Sequence, residues 1–283
     1  MRQAALKKSG VKPPHSKNSM SDFPTLPLIA TPRRFRLGVT SFVYPADLVT
    51  NVRRLAPFAD DIEIVFFESR DSSNLPNQAE VEELRQLARQ HQLTYTIHFP
   101  IDKALGSENR HEREQFLSAA LRIIELCRPL KPYGWILHLE GIDATASGAR
   151  RDTWRHDLFP LLRVLAGIVD NPTHICVENL GYPFAWCEPL LIEHPFSVCL
   201  DLGHLLQMDY DWQSHVAQWL PRTRIIHLYG SNKTSRHYSL EMTPKPLVQN
   251  FLKSIQSYSD VLTLETFGFE DTASSLTRLQ ECL

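Results

Sequence analysis

The sequence predicts an α/β fold, a closed parallel (β/α)8 barrel of the TIM type, from three observations. The chain has 283 residues, the length of one such barrel or of two ordinary domains. From residue 35 onward, eight short apolar runs alternate with longer amphipathic stretches, as repeated strand and helix units do. Glycine is scarce, with 11 residues, and the Tyr44–Pro45 segment after the first strand lacks the glycine-rich turn usual in an open doubly wound sheet. The closed barrel is therefore favoured over the open sheet.

The predicted strands are short and rich in β-branched residues, as the buried strands of a parallel sheet are. They cover residues 35–42, 61–68, 94–99, 134–140, 174–180, 197–203, 224–230 and 261–267. The predicted helices fill the intervals, near residues 46–58, 78–91, 110–128, 152–170, 184–193, 211–219, 244–257 and 270–282. The clearest helix covers residues 79–90, where Val81, Leu84 and Leu87 lie on one face and charged residues on the other.

The first 33 residues show no helix or strand periodicity and are rich in lysine, serine and proline. We expect them to form a disordered or loosely ordered extension, within which an ordered strap could begin at Phe23. Residues 34–283 are predicted to form a single barrel domain. The basic start is not followed by the apolar stretch of a secretory signal, and Met20 is an alternative start of the chain.

Composition narrows the class of protein. Hydrophobic residues make up 43% and charged residues 22% of the chain, as in ordinary globular domains. No run of 18 uncharged apolar residues occurs, so no membrane-spanning helix is expected. The formal net charge of -2 makes nucleic-acid binding less attractive but leaves a local basic patch open. Five cysteines without a CxxC pair fit a reducing, cytoplasmic location.

Residues of metal-binding type end most of the predicted strands. They are His98, His138, Glu178, Asp201 with His204, His227 and Glu265, and His237 lies in the loop after the seventh strand. The carboxyl ends of barrel strands meet at one rim, and buried imidazoles and carboxylates need partners, which a divalent cation supplies. Each residue alone has an ordinary structural explanation, but their shared position favours a metal site. Asp61 and Glu63 lie early in the second strand and receive no role.

These residues and their order resemble a known superfamily. The segments "TIHFP", "ILHLE", "VENLG", "CLDLGH", "IIHLYG", "RHYSL" and "LETFG" are similar to the xylose-isomerase-like barrels, which include endonuclease IV and sugar-phosphate isomerases and epimerases. Longer strings, among them "TSFVYPADL", "VCLDLGHLL" and "QWLPRTRIIHLYG", resemble the cobamide-remodelling phosphodiesterase (CbiR) family. That resemblance implies hydrolysis of the phosphodiester in the nucleotide loop of a cobamide, giving cobinamide phosphate and the riboside of the lower-ligand base.

The resemblance to endonuclease IV also implies how the metals are held. Glu178 would bridge two ions, with His98 and His138 on the first and Asp201, His227 and Glu265 on the second. His204 and His237 would hold a third ion, for which Ser235 stands in place of the usual aspartate. We therefore expect two divalent ions and a weaker, doubtful third site. Zinc is the expected metal, with manganese and iron as alternatives.

The predicted substrate is a corrinoid small molecule, with Glu178 and Glu265 as the catalytic residues. Lys233 and Arg236 are candidates to neutralise the phosphate, and aromatic residues are candidates to line the barrel mouth. These aromatic residues are Tyr44, Phe67, Tyr182, Phe184 and Trp186. Three other functions stay open: a sugar isomerase or epimerase, an abasic-site endonuclease, and a corrinoid-binding or metal-binding module. The oligomeric state and the preferred base do not follow from the sequence.

Overall fold

Eight parallel strands close into a barrel in chain order, with the last strand paired to the first. The computed structural model describes residues 23–68, 73–232 and 237–283. The strands are β1 Arg36–Thr40, β2 Asp61–Val65, β3 Thr94–His98, β4 Gly134–Leu137, β5 Ile175–Glu178, β6 Ser197–Asp201, β7 Thr223–Leu228 and β8 Val261–Leu264. The predicted (β/α)8 barrel is thus confirmed.

Helices surround the barrel and cover the outer face of its strands. They are α1 Leu48–Leu55, α2 Gln78–His91, α3 Arg110–Cys127, α4 Gly148–Ile168, α5 Glu188–Glu193, α6 Leu202–Gln207, α7 Trp212–Trp219, α8 Lys245–Ser254 and α9 Phe269–Cys282. Local chemistry fixes their starts: in α2, the Asn77 side chain accepts from the Glu80 backbone N–H, and the Glu80 carboxylate accepts from the Asn77 N–H. Val81, Leu84 and Leu87 form the buried face of this helix.

Several strands end earlier than the predicted runs, and this places polar residues at the rim. β4 ends at Leu137, so His138 is the first residue after the strand. β8 ends at Leu264, so Glu265 follows it directly. The short helix α6 was not predicted. It begins because the Asp201 carboxylate accepts a hydrogen bond of 2.8 Å from the His204 backbone N–H.

Below the rim, the side of the barrel interior formed by β4 to β7 is apolar. Ile136, Cys176, Cys199 and Ile225 pack together there, each with no exposed surface. The opposite end of the barrel is closed by Tyr133, whose ring lies between the guanidinium groups of Arg36 and Arg224 at 5.1 and 4.0 Å. The buried polar cluster described below therefore opens at the carboxyl ends of the strands. All five cysteines are free.

A strap of residues 23–33 lies against the barrel. Leu26 is buried, the Tyr44 hydroxyl donates to the Pro24 carbonyl at 2.9 Å, and Gln280 Oε1 accepts from the Ala30 backbone N–H at 2.8 Å. Of the disordered or loosely ordered extension expected over residues 1–33, residues 1–22, with the alternative start at Met20, fall outside the described residues. Within the described ranges, no helix has the length and apolar character needed to cross a membrane.

Candidate metal centre

The barrel brings all eight sequence-predicted metal ligands to one rim. His98, Glu178 and Asp201 are the last residues of β3, β5 and β6, and His227 is the penultimate residue of β7. His237 is brought back to this rim by a bridge in which Gly230 and Tyr238 exchange backbone hydrogen bonds of 2.9 and 3.0 Å. Burial is nearly complete for most of them, with His227 and Asp201 fully inaccessible.

Glu178 occupies the centre of this cluster. Its Oε2 lies 2.9 Å from His138 Nε2 and 3.7 Å from His98 Nε2, and its Oε1 lies 3.2 Å from His204 Nδ1. The same Oε2 is 3.7 Å from His227 Nδ1. Glu178 Oε2 therefore faces imidazoles from both of the sets expected for the first two ions, as a carboxylate shared between two cations would.

The donor atoms divide into overlapping groups that could each hold an ion. Within each group the atoms lie within 4.8 Å of one another. The groups that match the expected ligand sets are His98, His138 and Glu178; Glu178, Asp201, His227 and Glu265; and Asp201, His204 and His237. Glu178 belongs to the first two groups and Asp201 to the last two, so the three candidate positions are contiguous.

Each of four histidines has one ring nitrogen occupied by an acceptor outside the three groups that match the expected ligand sets. One of these acceptors, Glu63, forms a further candidate group with His98 and Glu265. The Nδ1 atoms of His98 and His204 lie 2.8 and 2.9 Å from the backbone carbonyls of Phe99 and Asn179. His138 Nδ1 lies 3.3 Å from Glu140 Oε1, and His227 Nε2 lies 2.8 Å from Glu63 Oε2. An acceptor on one nitrogen places the proton there and leaves the lone pair of the other for a metal. His227 turns Nδ1 toward the centre, 3.1 Å from Glu265 Oε2 and 3.7 Å from Glu178 Oε2. His204 Nδ1, besides facing Asn179, lies 3.1 Å from Asp201 Oδ2.

Asp201 and His204 are held together by the local fold. The Asn179 amide pairs with the Asp201 backbone, donating from Nδ2 at 2.9 Å and accepting at Oδ1 at 2.8 Å. Gly203 lies between the two ligands, directly against the buried ring of Tyr229. A Cβ at position 203 would come within 2.1 Å of that ring, so the ligand spacing of the "CLDLGH" motif requires a glycine there.

Several buried nitrogen and oxygen atoms at the rim have no hydrogen-bond partner within the described part of the chain. They are Asp201 Oδ2, His227 Nδ1, His237 Nε2 and Glu265 Oε2. Yet Glu265 Oε2 is only 3.1 Å from His227 Nδ1 and 3.2 Å from His237 Nε2. Buried polar atoms left unsatisfied at such short separations are costly, and a divalent cation bound by their lone pairs would remove that cost. The residues therefore fit a resident metal of the His and carboxylate type.

Without a metal, charge in the cluster is balanced by protons. Burial lowers the pKa of His138, but the charge of Glu178 and the hydrogen bonds of Glu140 and Glu178 outweigh it and raise the pKa to about 10. Burial also lowers the pKa of His204, but the charges of Asp201 and Glu178 outweigh this effect and raise the pKa to about 9. Burial raises the pKa of Asp201 to about 7. Metal binding must displace such protons.

We expect the metal-free protein to lose stability as the pH rises. The folded pKa values of about 10 for His138 and about 9 for His204 exceed the unfolded value of 6.5. Their contribution is thus complete below pH 6.5 and disappears as the pH passes through the folded values. Zinc should reverse the trend, because its apparent affinity gains about tenfold per pH unit for each proton released. Thermal melts from pH 6 to 10, with chelator and with zinc, would show the two curves diverging; parallel curves would contradict this prediction.

The residues that the sequence predicts to bind the substrate differ in whether the structure describes them and in how exposed they are. Lys233 and Arg236, together with Ser235, lie outside the described residues. Tyr44 and Tyr182 are buried, with hydroxyls bonded to the carbonyls of Pro24 and Leu139. These two rings therefore present little surface to a ligand. Phe184 is also buried and packs against Trp219.

Two of the expected aromatic residues remain partly exposed. Trp186 is covered by the Arg151 guanidinium at 4.7 Å. Phe67 is joined by Phe42, at a ring separation of 5.5 Å, and Phe42 in turn lies 6.4 Å from Phe267. Phe267 is 38% exposed and meets the His237 ring edge at 5.4 Å. Neither Phe42 nor Phe267 was expected at the site from the sequence, although each is the last residue of a predicted strand. We refer to Phe42, Phe67 and Phe267 as the aromatic wall.

Comparisons with known proteins agree with this architecture. Residues 58–282 match the family model described as the xylose isomerase-like TIM barrel. No curated protein matches the chain. Among solved structures, a D-tagatose 3-epimerase-like protein has 19% identity and a TM-score of 0.68, covering 88% of this chain and 97% of its own. Endonuclease IV from Thermus thermophilus has 23% identity and a TM-score of 0.67, covering 87% of this chain and 98% of its own. The 3-keto-D-glucoside 4-epimerase YcjR from E. coli has 15% identity and a TM-score of 0.66, covering 88% of this chain and 98% of its own.

Proposed function

Because this chain belongs to the xylose isomerase-like TIM barrel family, we propose that its rim cluster is the active site of a metal-dependent phosphodiesterase. Its substrate would be a cobamide, cleaved in the nucleotide loop to cobinamide phosphate and an α-riboside. The observation that carries the proposal is the size of the donor set. Glu178, Asp201, His227 and Glu265 suffice for one ion, yet His98 and His138 form a second candidate group with Glu178, and His204 and His237 form a third with Asp201.

Two adjacent divalent ions, with zinc as the first choice, would supply Lewis acidity and a nucleophile derived from water at neutral pH. Glu178 holds the two ligand groups together, and Glu265 lies at the mouth where it can orient the attacking water. His204 and His237 would hold a third ion or, where Ser235 makes that site weak, donate hydrogen bonds directly to the phosphate. One water is consumed: its oxygen joins phosphorus, and its proton goes to the ribose oxygen that leaves.

The choice of a cobamide rests on sequence likeness and on the shape of the mouth. The strings "TSFVYPADL", "VCLDLGHLL" and "QWLPRTRIIHLYG" resemble the CbiR family beyond the shared ligands. The aromatic wall adds an apolar surface beside His237, and such surfaces suit a substrate with large planar parts. The substrate is then a small molecule, and the free cysteines fit action in the cytoplasm.

One alternative is favoured by a specific observation. The group of Glu178, Asp201, His227 and Glu265 is a complete site for a single ion, and its two glutamates could act on opposite faces of a sugar carbon. An epimerase would need no further histidines, so the four at positions 98, 138, 204 and 237 support the hydrolase. An abasic-site endonuclease would share the whole donor set but needs a basic surface, which the net charge of -2 makes less attractive.

The decisive experiment presents one metal-loaded preparation with all three substrate classes. Zinc-loaded and manganese-loaded protein would be incubated with adenosylcobalamin, a ketose panel and an abasic DNA duplex, with products identified by mass spectrometry. We expect repeated turnover of the cobamide to cobinamide phosphate and the riboside. Ketose interconversion or DNA nicking without cobamide cleavage would overturn the proposal in favour of the corresponding alternative. A single stoichiometric product release would indicate a binding module.

A further inference from the structure

Glu63 is a fully buried acid in the middle of β2. Its neighbours Ile62 and Ile64 belong to the main hydrophobic core, so strand alternation turns the Glu63 side chain to the other face of the sheet, the barrel interior. There Glu63 Oε2 lies 2.8 Å from His227 Nε2, on a strand far away in barrel order. Glu63 Oε1 has no hydrogen-bond partner among the residues that the structure describes.

The contact determines which nitrogen of His227 can bind a cation. An ionised carboxylate only accepts hydrogen bonds, so the imidazole must carry its proton on Nε2. The lone pair is then on Nδ1, which faces Glu265 Oε2 at 3.1 Å and Glu178 Oε2 at 3.7 Å. We propose that Glu63 is a positioning residue that fixes the tautomer of His227 and aims Nδ1 at the metal centre.

Charge and burial together distinguish Glu63 from the acceptors of the other three histidines, because Glu140 beside His138 is also a carboxylate but is 17% exposed. His98 and His204 are oriented by neutral backbone carbonyls, which would also suffice to hold an imidazole in place. Glu63 instead puts a full negative charge on the imidazole without solvent or a described Lys or Arg partner to offset it. A buried carboxylate is costly to maintain, whereas its charge makes a ligating imidazole more basic and strengthens the metal bond. Glu63 therefore contributes to metal affinity as well as to ring orientation.

The test measures metal binding separately from turnover. Glu63→Gln keeps the size of the side chain and removes the charge, and Asp61→Asn is the matched control, a buried acid two residues earlier on β2 that hydrogen-bonds to Thr94. Zinc affinity would be measured by competition with a chromophoric chelator, after circular dichroism has shown that each variant is folded. We expect Glu63→Gln to weaken zinc binding by roughly 10- to 100-fold, the range found for outer carboxylates of metal sites, and Asp61→Asn to leave it unchanged. Equal zinc affinity in Glu63→Gln and the wild type would overturn the proposal.

A second measurement covers the case in which Glu63→Gln does not fold. Long-range 1H–15N correlation spectra of histidine-labelled, zinc-loaded wild-type protein report the state of each ring nitrogen. We expect His227 to show a protonated Nε2 and a metal-bound Nδ1, and the reverse assignment would refute the role of Glu63. This inference rests on the proposed metal centre, and different results would contradict the metal centre and the role of Glu63. Wild-type protein that binds no zinc removes the centre itself, whereas zinc bound with unchanged affinity in Glu63→Gln removes only the role of Glu63.

Discussion

Glu178→Gln is expected to abolish turnover while leaving the barrel folded. The substitution keeps the shape of the side chain but removes the charge that His138, His98, His204 and His227 all approach within 3.7 Å. An amide offers one neutral oxygen in place of two shared anionic ones, so it cannot bridge two cations. The loss in kcat should reach about 1,000-fold, the upper end of what one electrostatic group contributes. Steady-state kinetics on the cobamide, with metal analysis of the same preparation, would measure it.

The control for this variant is Glu188→Gln, which changes an exposed glutamate in α5. It should match the wild type in turnover, metal content and melting temperature. Glu178→Gln should melt as a single cooperative transition with a reduced metal content. Wild-type turnover and unchanged metal content in Glu178→Gln would show that the central carboxylate does not hold the reacting centre.

The sequence was sufficient to predict that the candidate ligands lie at one rim, because their positions depend on strand ends. His98, Glu178 and Asp201 end apolar runs, and the closed barrel converts the end of every run into a place on one rim. No knowledge of which strands are neighbours is needed for that step. The same reasoning applied to β1 and β8 could have found Phe42 and Phe267, but a single apolar residue after a strand carries no chemical signal of its own.

Glu63 was missed because its role depends on a contact across the barrel. In the sequence, Asp61 and Glu63 alternate with Ile62 and Ile64, which is also the pattern of a strand with one face in water. Only closure of the sheet turns that face inward and brings β2 opposite β7. Tyr44 illustrates the reverse case, since it follows β1 as a wall residue should, yet Phe23 of the strap packs on its ring at 5.3 Å.

Removal of divalent metal is the second change with a large expected effect. Dialysis against a chelator should eliminate turnover, and zinc or manganese should restore it. The melting temperature should also fall on chelation. A ligand at 100 times its Kd adds about 2.7 kcal/mol of stability, and about 2 °C per kcal/mol for a chain of this size gives a shift of roughly 5 °C. Unchanged turnover after complete removal of metal would contradict a metal-dependent mechanism.

The number of ions left in single variants tests how the ligands are divided. His98 belongs to the candidate group of His138 and Glu178, which has no other histidine, so His98→Ala should lose about one of two tightly bound ions. His237 lies in the weaker group with Asp201 and His204, so His237→Ala should retain both. His91→Ala, at an exposed helix end, is the control for loss of an imidazole as such. Two ions retained in His98→Ala would contradict the assignment of His98 as a ligand that the first ion requires.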